Sequence, residues 1–180
     1  MGDNDLGKRA EAKIKKWLDQ VDAGYCFERI PDQLTGFYGS KNICDFYLYA
    51  WPYFYYIESK ATWSDSFPFK MLTENQREKM TEKSKIYGVH SVVIVLFASY
   101  KRVFMFNVAD IQESLSNPEN KMSLNVKHID KWFIPYVEIP TVPNKRKQLL
   151  DYTGNFEDLV KKLEGNYDEV SLEKSITSNL

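Results

Sequence analysis

Asp45, Glu58 and Lys60 are the residues whose types and spacing could do chemistry: twelve residues separate Asp45 from Glu58, and Glu58-Ser59-Lys60 closes an apolar run. Two carboxylates side by side repel each other unless a hard cation sits between them, and Mg²⁺ is satisfied by one or two carboxylates plus water and phosphate oxygens. Such an ion polarises a phosphate and lowers the pKa of a bound water. A lysine on the same face can hold the attacking water or neutralise charge developing on the phosphorane-like transition state. Together the three point to metal-dependent phosphodiester hydrolysis. Without Asp45, a Glu-x-Lys reads more simply as an ion pair at a strand end, which contributes little.

The elements that must position these residues are short. Ile43 to Tyr49 reads as a strand, Ala50-Trp51-Pro52 as a turn and Tyr53 to Ile57 as the returning strand, so the hairpin can set Asp45 beside Glu58. The side-chain period of a strand is two, which sends Glu58 and Lys60 to one face and Ser59 to the other. Thr73, with Gln76 three residues on, makes a capping-box start for a helix running to about Ile86, with Gly88 where its C-cap should fall. That helix carries Gln76, Met80 and Lys83 on one face.

From Ile43 to Met80 the chain resembles the PD-(D/E)XK nuclease superfamily, and within it the RecU-type Holliday junction resolvases, especially the shorter versions carried by bacteriophages. Four pieces carry the resemblance in order: Gly7-Lys8-Arg9-Ala10-Glu11 opening a helix, Asp45-Phe46, Glu58-Ser59-Lys60, and Ser66-Phe67-Pro68-Phe69-Lys70 followed by Asn75-Gln76-Arg77. The resemblance implies an α/β fold of the restriction-endonuclease-like kind, a mixed central sheet flanked by helices. It implies that Asp45 and Glu58 bind Mg²⁺ or Mn²⁺, that Lys60 is catalytic, that Glu11 supports the metal through the first helix, and that Gln76 orients water or DNA. Asp32, after Arg29-Ile30-Pro31, is a further candidate for the metal, or else a turn aspartate. The implied activity is paired hydrolysis of four-way DNA by a two-fold homodimer, leaving 5′-phosphate and 3′-hydroxyl ends. The departure lies between Pro31 and Asp45: bacterial members carry a long stalk there, whereas this chain has only residues 32–42.

Composition bounds the rest. The 180 residues form one domain by length, with a nuclease domain expected over 1–140 and an extension with a short helix and a frayed polar tail over 141–180. A formal net charge of −1 argues against a simple DNA-binding module, so phosphate contacts must come from local patches. The candidates are Lys8, Arg9, Lys41, Lys70 and Arg77, with Lys13, Lys79 and Lys83 behind them; each could equally lie on a solvated helix face. The longest apolar run, Val92 to Ala98, is far too short to cross a bilayer and the N-terminus is not signal-like, which gives no membrane partner and a cytoplasmic expectation, bacterial and possibly phage-encoded. Cys26 and Cys44 sit in apolar runs and are expected as free buried thiols, without zinc spacing. His90 and His128 have no Cys or His partner at ligand spacing and are read as structural.

Around the hairpin the pattern predicts a helix over 5–21, a strand over 25–30, strands over 91–97 and 102–106, a helix over 108–115, an edge strand over 131–137 and a helix over 155–163. The aromatic residues Tyr47, Tyr49, Trp51, Tyr53, Phe54, Tyr55 and Tyr56 could stack bases, though such a run more often packs a hairpin or a dimer interface. The expected function is a metal-dependent, structure-selective DNA endonuclease resolving Holliday junctions. The alternatives are a less selective phage or restriction-like nuclease, and a catalytically inactive DNA-binding protein.

Overall fold

The computed structural model describes residues 3–20, 25–30, 42–117, 121–143 and 150–165. Asp32 and Lys41 lie outside them, as do Val21 and the polar tail.

Helix α1 (Asp3–Leu18) buries Leu6, Ala10, Ile14, Trp17 and Leu18, the four-four-three spacing of one helical face. It lies on a six-stranded sheet in the order β1-β2-β3-β5-β6-β8, built from β1 (Tyr25–Arg29), β2 (Phe46–Ala50), β3 (Tyr53–Thr62), β5 (Val89–Phe97), β6 (Arg102–Asn107) and β8 (Val137–Glu138). All neighbours are antiparallel except β3 and β5, which run parallel. A parallel pair needs a crossover. Here it passes through β4 (Ser66–Pro68), a turn over Phe69–Met71, and α2 (Glu74–Lys83). The fold is thus a mixed sheet flanked by helices.

Two apolar clusters cover the two faces. Phe46, Leu48, Tyr55, Ile57, Val92, Ile94 and Leu96 face α1. Val93, Val95, Phe97, Phe104 and Phe106 face the other way, toward Met80 of α2 and Ile111 of α3 (Val108–Ser116). On that side β4 pairs with β7 (Ser123–Asn125). Several of the described residues beyond 140 join the first cluster: the hairpin β9 (Thr141–Pro143) and β10 (Leu150–Tyr152) is followed by a helix, α4, over 156–165. Tyr152, Phe156, Leu159, Val160 and Leu163 are all buried there. Trp17 of α1 donates its indole N–H to the Gly154 carbonyl at 2.9 Å and packs edge-on against Phe156.

Three local expectations are corrected. Helix α2 ends at Lys83 with Ser84 as its cap, not at Ile86. Gly88, at φ +77°, serves the following turn, where its carbonyl accepts the Phe54 N–H at 2.8 Å. The expected strand over 131–137 shrinks to β8: Val126–Lys131 forms a 3₁₀ turn, and Trp132 packs edge-on against Phe104 at 4.7 Å and Tyr136 at 4.8 Å. Aromatic packing onto the sheet face there outweighs pairing along its edge, and Pro135 has no N–H to give a ladder. Cys26 is exposed rather than buried; Cys44 is buried, and both are free.

Candidate active site

The β2/β3 register runs from Ala50↔Tyr53 to Phe46↔Ile57, and there β2 stops. Asp45 continues the ladder with its backbone, donating to the Ile57 carbonyl at 3.1 Å and accepting from Ile30 at 2.9 Å. The next β3 amide on that side, Ser59 N–H, has no backbone carbonyl opposite it. The Asp45 carboxylate takes its place, with Oδ2 accepting that N–H at 2.8 Å. A strand end that would otherwise leave an orphan donor thus fixes one of the two acids.

Glu58 sits mid-strand on β3, opposite Val93 in the parallel register, and is only 1% exposed. Its Oε1 accepts two hydrogen bonds, from Lys60 Nζ at 2.5 Å and from Gln76 Nε2 at 2.7 Å. Its Oε2 is buried with no partner among the described residues. Burial, followed by repulsion from Asp45, pushes the Glu58 carboxyl up to about 7 against the pull of Lys60 and Gln76. Burial also raises Asp45 to about 6, with the Glu11 charge adding to the rise and the Ser59 amide opposing it. Each acid therefore holds on to a proton at a pH where a carboxylate in water has lost it. Cys44, between the pair and the core, is pushed up to about 12 by burial and by the Glu58 charge, so its thiol stays neutral.

The two acids fit a divalent cation. A buried, unpartnered carboxylate oxygen next to a second carboxylate is a stable arrangement only when protonated or when bound to a cation. Among the described residues no three Asp, Glu, His or Cys side chains converge as a ligand set. Mg²⁺ does not need three, since it commonly keeps several waters and takes phosphate oxygens of the substrate.

The other sequence candidates fall at different places. Glu11, on α1, accepts from Arg29 at 2.7 and 3.1 Å, and its charge is felt at Asp45. Gln76 reaches Glu58 directly. Lys8 is exposed on α1, and Arg9 is 3.8 Å from Asp5. Lys70 is exposed beside β4 and lines, with Arg77, Leu115 and Met122, a cavity of about 490 Å³. The Arg77 guanidinium is directed into the protein, to Gln112 at 3.1 Å and to the Leu72 carbonyl. Lys13 is tied to Asp151 at 2.5 Å. His90 is held between Tyr55, stacked at 5.0 Å, and Glu164 at 2.9 Å. The aromatic hairpin divides between the faces. Tyr55 is core, Tyr47, Phe54 and Tyr56 touch one another on the opposite face, and Trp51 stands 80% exposed at the turn. Thr73 was legible as a helix cap but not as a neighbour of the site; no spacing rule connects a cap with a carboxylate on another element.

A strand aspartate, a Glu-x-Lys on the next strand of a mixed sheet and a helix glutamine on the glutamate are thus brought together at one place. The model of the family "Recombination protein U" matches residues 28–158, more than two thirds of the chain. The chain belongs to that family, the RecU Holliday junction resolvases. Among solved structures it is similar to Hjc of Archaeoglobus fulgidus, described as a Holliday junction resolvase from an archaeal hyperthermophile, at 17% identity and a TM-score of 0.45, covering 67% of this chain and 89% of that one. No curated protein matches the sequence.

Proposed function

We propose that the chain cuts four-way DNA by Mg²⁺- or Mn²⁺-dependent hydrolysis at Asp45, Glu58 and Lys60. The observation that carries this is the Glu58 carboxylate, with one oxygen held by Lys60 and Gln76 and the other buried, unpartnered and next to Asp45. A divalent ion held by Asp45 and Glu58 supplies polarisation of the phosphate and a more acidic water. Lys60, whose ammonium lies at Glu58, neutralises charge on the non-bridging phosphate oxygens and orients the water. The water oxygen attacks phosphorus and gives up a proton, the bond to the 3′-oxygen breaks, and that oxygen takes up a proton in return and leaves as the 3′-hydroxyl while the phosphate stays on the 5′ end. Glu11 and Asp32 support the metal side of the site. Lys8, Arg9, Lys41 and Lys70 contact backbone phosphates, which position DNA but do not choose a sequence, whereas Arg77 is taken up by Gln112 and the Leu72 carbonyl.

Resolving a junction takes two symmetric cuts and each chain carries one site, so we infer a homodimer in the bacterial cytoplasm, where its DNA is. No described helix is long and apolar enough to span a membrane. The test compares a labelled four-way junction with a matched duplex in Mg²⁺, Mn²⁺ or EDTA, using wild type, Asp45→Asn and Glu58→Gln. We expect paired nicks in the junction alone, lost with EDTA and reduced on the order of 10³-fold in either variant while junction binding is kept. Unchanged cutting by the variants removes the site assignment, and equal cutting of both substrates removes the selectivity.

A further inference from the structure

We propose that Thr73 is a positioning residue for the catalytic carboxylate, acting through Gln76 to fix the direction in which Glu58 presents its unpartnered oxygen. This rests on the assignment of Glu58 above.

Thr73 is the N-cap of α2, and its hydroxyl accepts the Gln76 backbone N–H at 3.3 Å. The Gln76 side-chain oxygen returns to accept the Thr73 N–H at 3.1 Å, completing a capping box. In most capping boxes the third residue has then finished its work, and Glu serves as well as Gln. Here the same amide has a second partner: its NH₂ donates to Glu58 Oε1 at 2.7 Å. An amide has one acceptor end and one donor end. Flipping it would set NH₂ against the Thr73 N–H and oxygen against the Glu58 carboxylate, so the cap at one end selects the donor presented at the other; the Thr73 hydroxyl, by accepting the Gln76 backbone N–H, closes the turn that keeps the two residues within reach of that bond. The requirement for glutamine over glutamate follows. Glu would satisfy the cap and repel Glu58.

The cap is itself anchored. Leu72, just before it, is fully buried and donates to the Phe69 carbonyl at 3.0 Å. Farther along α2, the Met80 carbonyl accepts from Ser91 of β5 at 2.7 Å. The helix is therefore fixed to the sheet, and its first turn is the part that reaches the site.

The experiment uses Thr73→Val, Thr73→Ser, Gln76→Glu and a control, Glu78→Gly, which weakens the same helix at an exposed position away from Glu58. Thermal unfolding, calorimetric titration with Mn²⁺ alone, and kcat and KM on the junction are measured for each. Thr73→Val and Glu78→Gly both lower the melting temperature, because each weakens the helix. Only Thr73→Val weakens Mn²⁺ binding and lowers kcat, each roughly tenfold with KM unchanged, the size expected for groups that orient a metal ligand. Thr73→Ser restores both. Gln76→Glu keeps the cap but sets a carboxylate against Glu58, so it loses at least as much kcat and also melts lower. Equal Mn²⁺ affinity in Thr73→Val and the control, or full activity in Gln76→Glu, overturns the proposal. Should the wild type cut no DNA, the functional assignment fails, while the Mn²⁺ titrations of Thr73→Val against Thr73→Ser still decide for or against the relay.

Discussion

Strands β3 and β5 are parallel neighbours in register over nine pairs, Phe54↔Val89 to Thr62↔Phe97, yet they are made on opposite plans. β5 is apolar from Val92 to Phe97 and buried on both faces, as a central strand in a covered sheet should be. β3 puts Glu58 opposite Val93 at nearly the same depth, and Lys60, whose side chain is 19% exposed, opposite Val95. The difference teaches what a buried charge requires. Glu58 persists beside Val93 because Lys60 and Gln76 both donate to it. Residues 92–97 of β5 carry no charge that would need such donors.

The harshest way to break this comparison is to move an acid one strand over. Val93→Asp places a carboxylate at a fully buried position among Met80, Phe104 and Phe106, with no donor provided for it. Loss of about 4 kcal/mol or more is expected, enough to unfold a marginally stable domain, and far-ultraviolet circular dichroism would show it. A folded Val93→Asp protein would mean that the environment, not the specific donors, tolerates charge. Lys60→Ala is milder. It removes one of two donors to Glu58 Oε1 but leaves the Glu58 and Asp45 carboxylates in place, so cleavage falls roughly 10²-fold while Mn²⁺ still titrates by calorimetry. Loss of Mn²⁺ binding in this variant would make Lys60 part of the metal's support rather than of the reaction.

How much of this was legible follows the same division. Asp45, Glu58 and Lys60 were readable because strand alternation and a short hairpin are local rules, and so was the Thr73/Gln76 cap. The apolar pattern of β5 and β6 located both strands to within two residues. What sequence could not supply was pairing across distance. That Gln76 would spend its NH₂ on Glu58, that Arg77 would turn inward to Gln112, and that Lys13 would be taken by Asp151 depend on where α2, α3 and β10 dock. The strand expected over 131–137 failed because β-forming Trp132, Phe133 and Tyr136 were read by propensity, whereas their rings pack onto Phe69, Phe104 and Phe106. Nothing local in the sequence reveals that Phe156 and Leu163 share a buried cluster with Leu6, Ile14 and Trp17 of α1.

The gentlest test uses pH, because β3 titrates where the apolar stretch of β5 cannot. Asp45 and Glu58 are raised to about 6 and about 7, whereas in the unfolded chain both ionise near 4. Between pH about 4 and about 7 the folded protein therefore binds more protons than the unfolded one, and stability must fall as pH rises through that window. Below it the two groups contribute fully, and above it their contribution is gone. Metal-free wild type should accordingly melt lower at pH 8 than at pH 5, by a few degrees at about 2–4 °C per kcal/mol for a chain of this size. Glu58→Gln, which cannot ionise, should lose the part of this fall nearest pH 7 and melt higher than wild type at pH 8. Mn²⁺ at pH 8 should raise the wild-type melting temperature by binding the ionised pair. Val95→Ala, one strand away and opposite Lys60, leaves a cavity whose cost has no proton in it, so its destabilisation should be the same at pH 5 and pH 8. If wild type instead melts higher at pH 8 without metal, the two acids are already ionised and paired in the folded state. In that case β3, like β5, is simply a satisfied core strand.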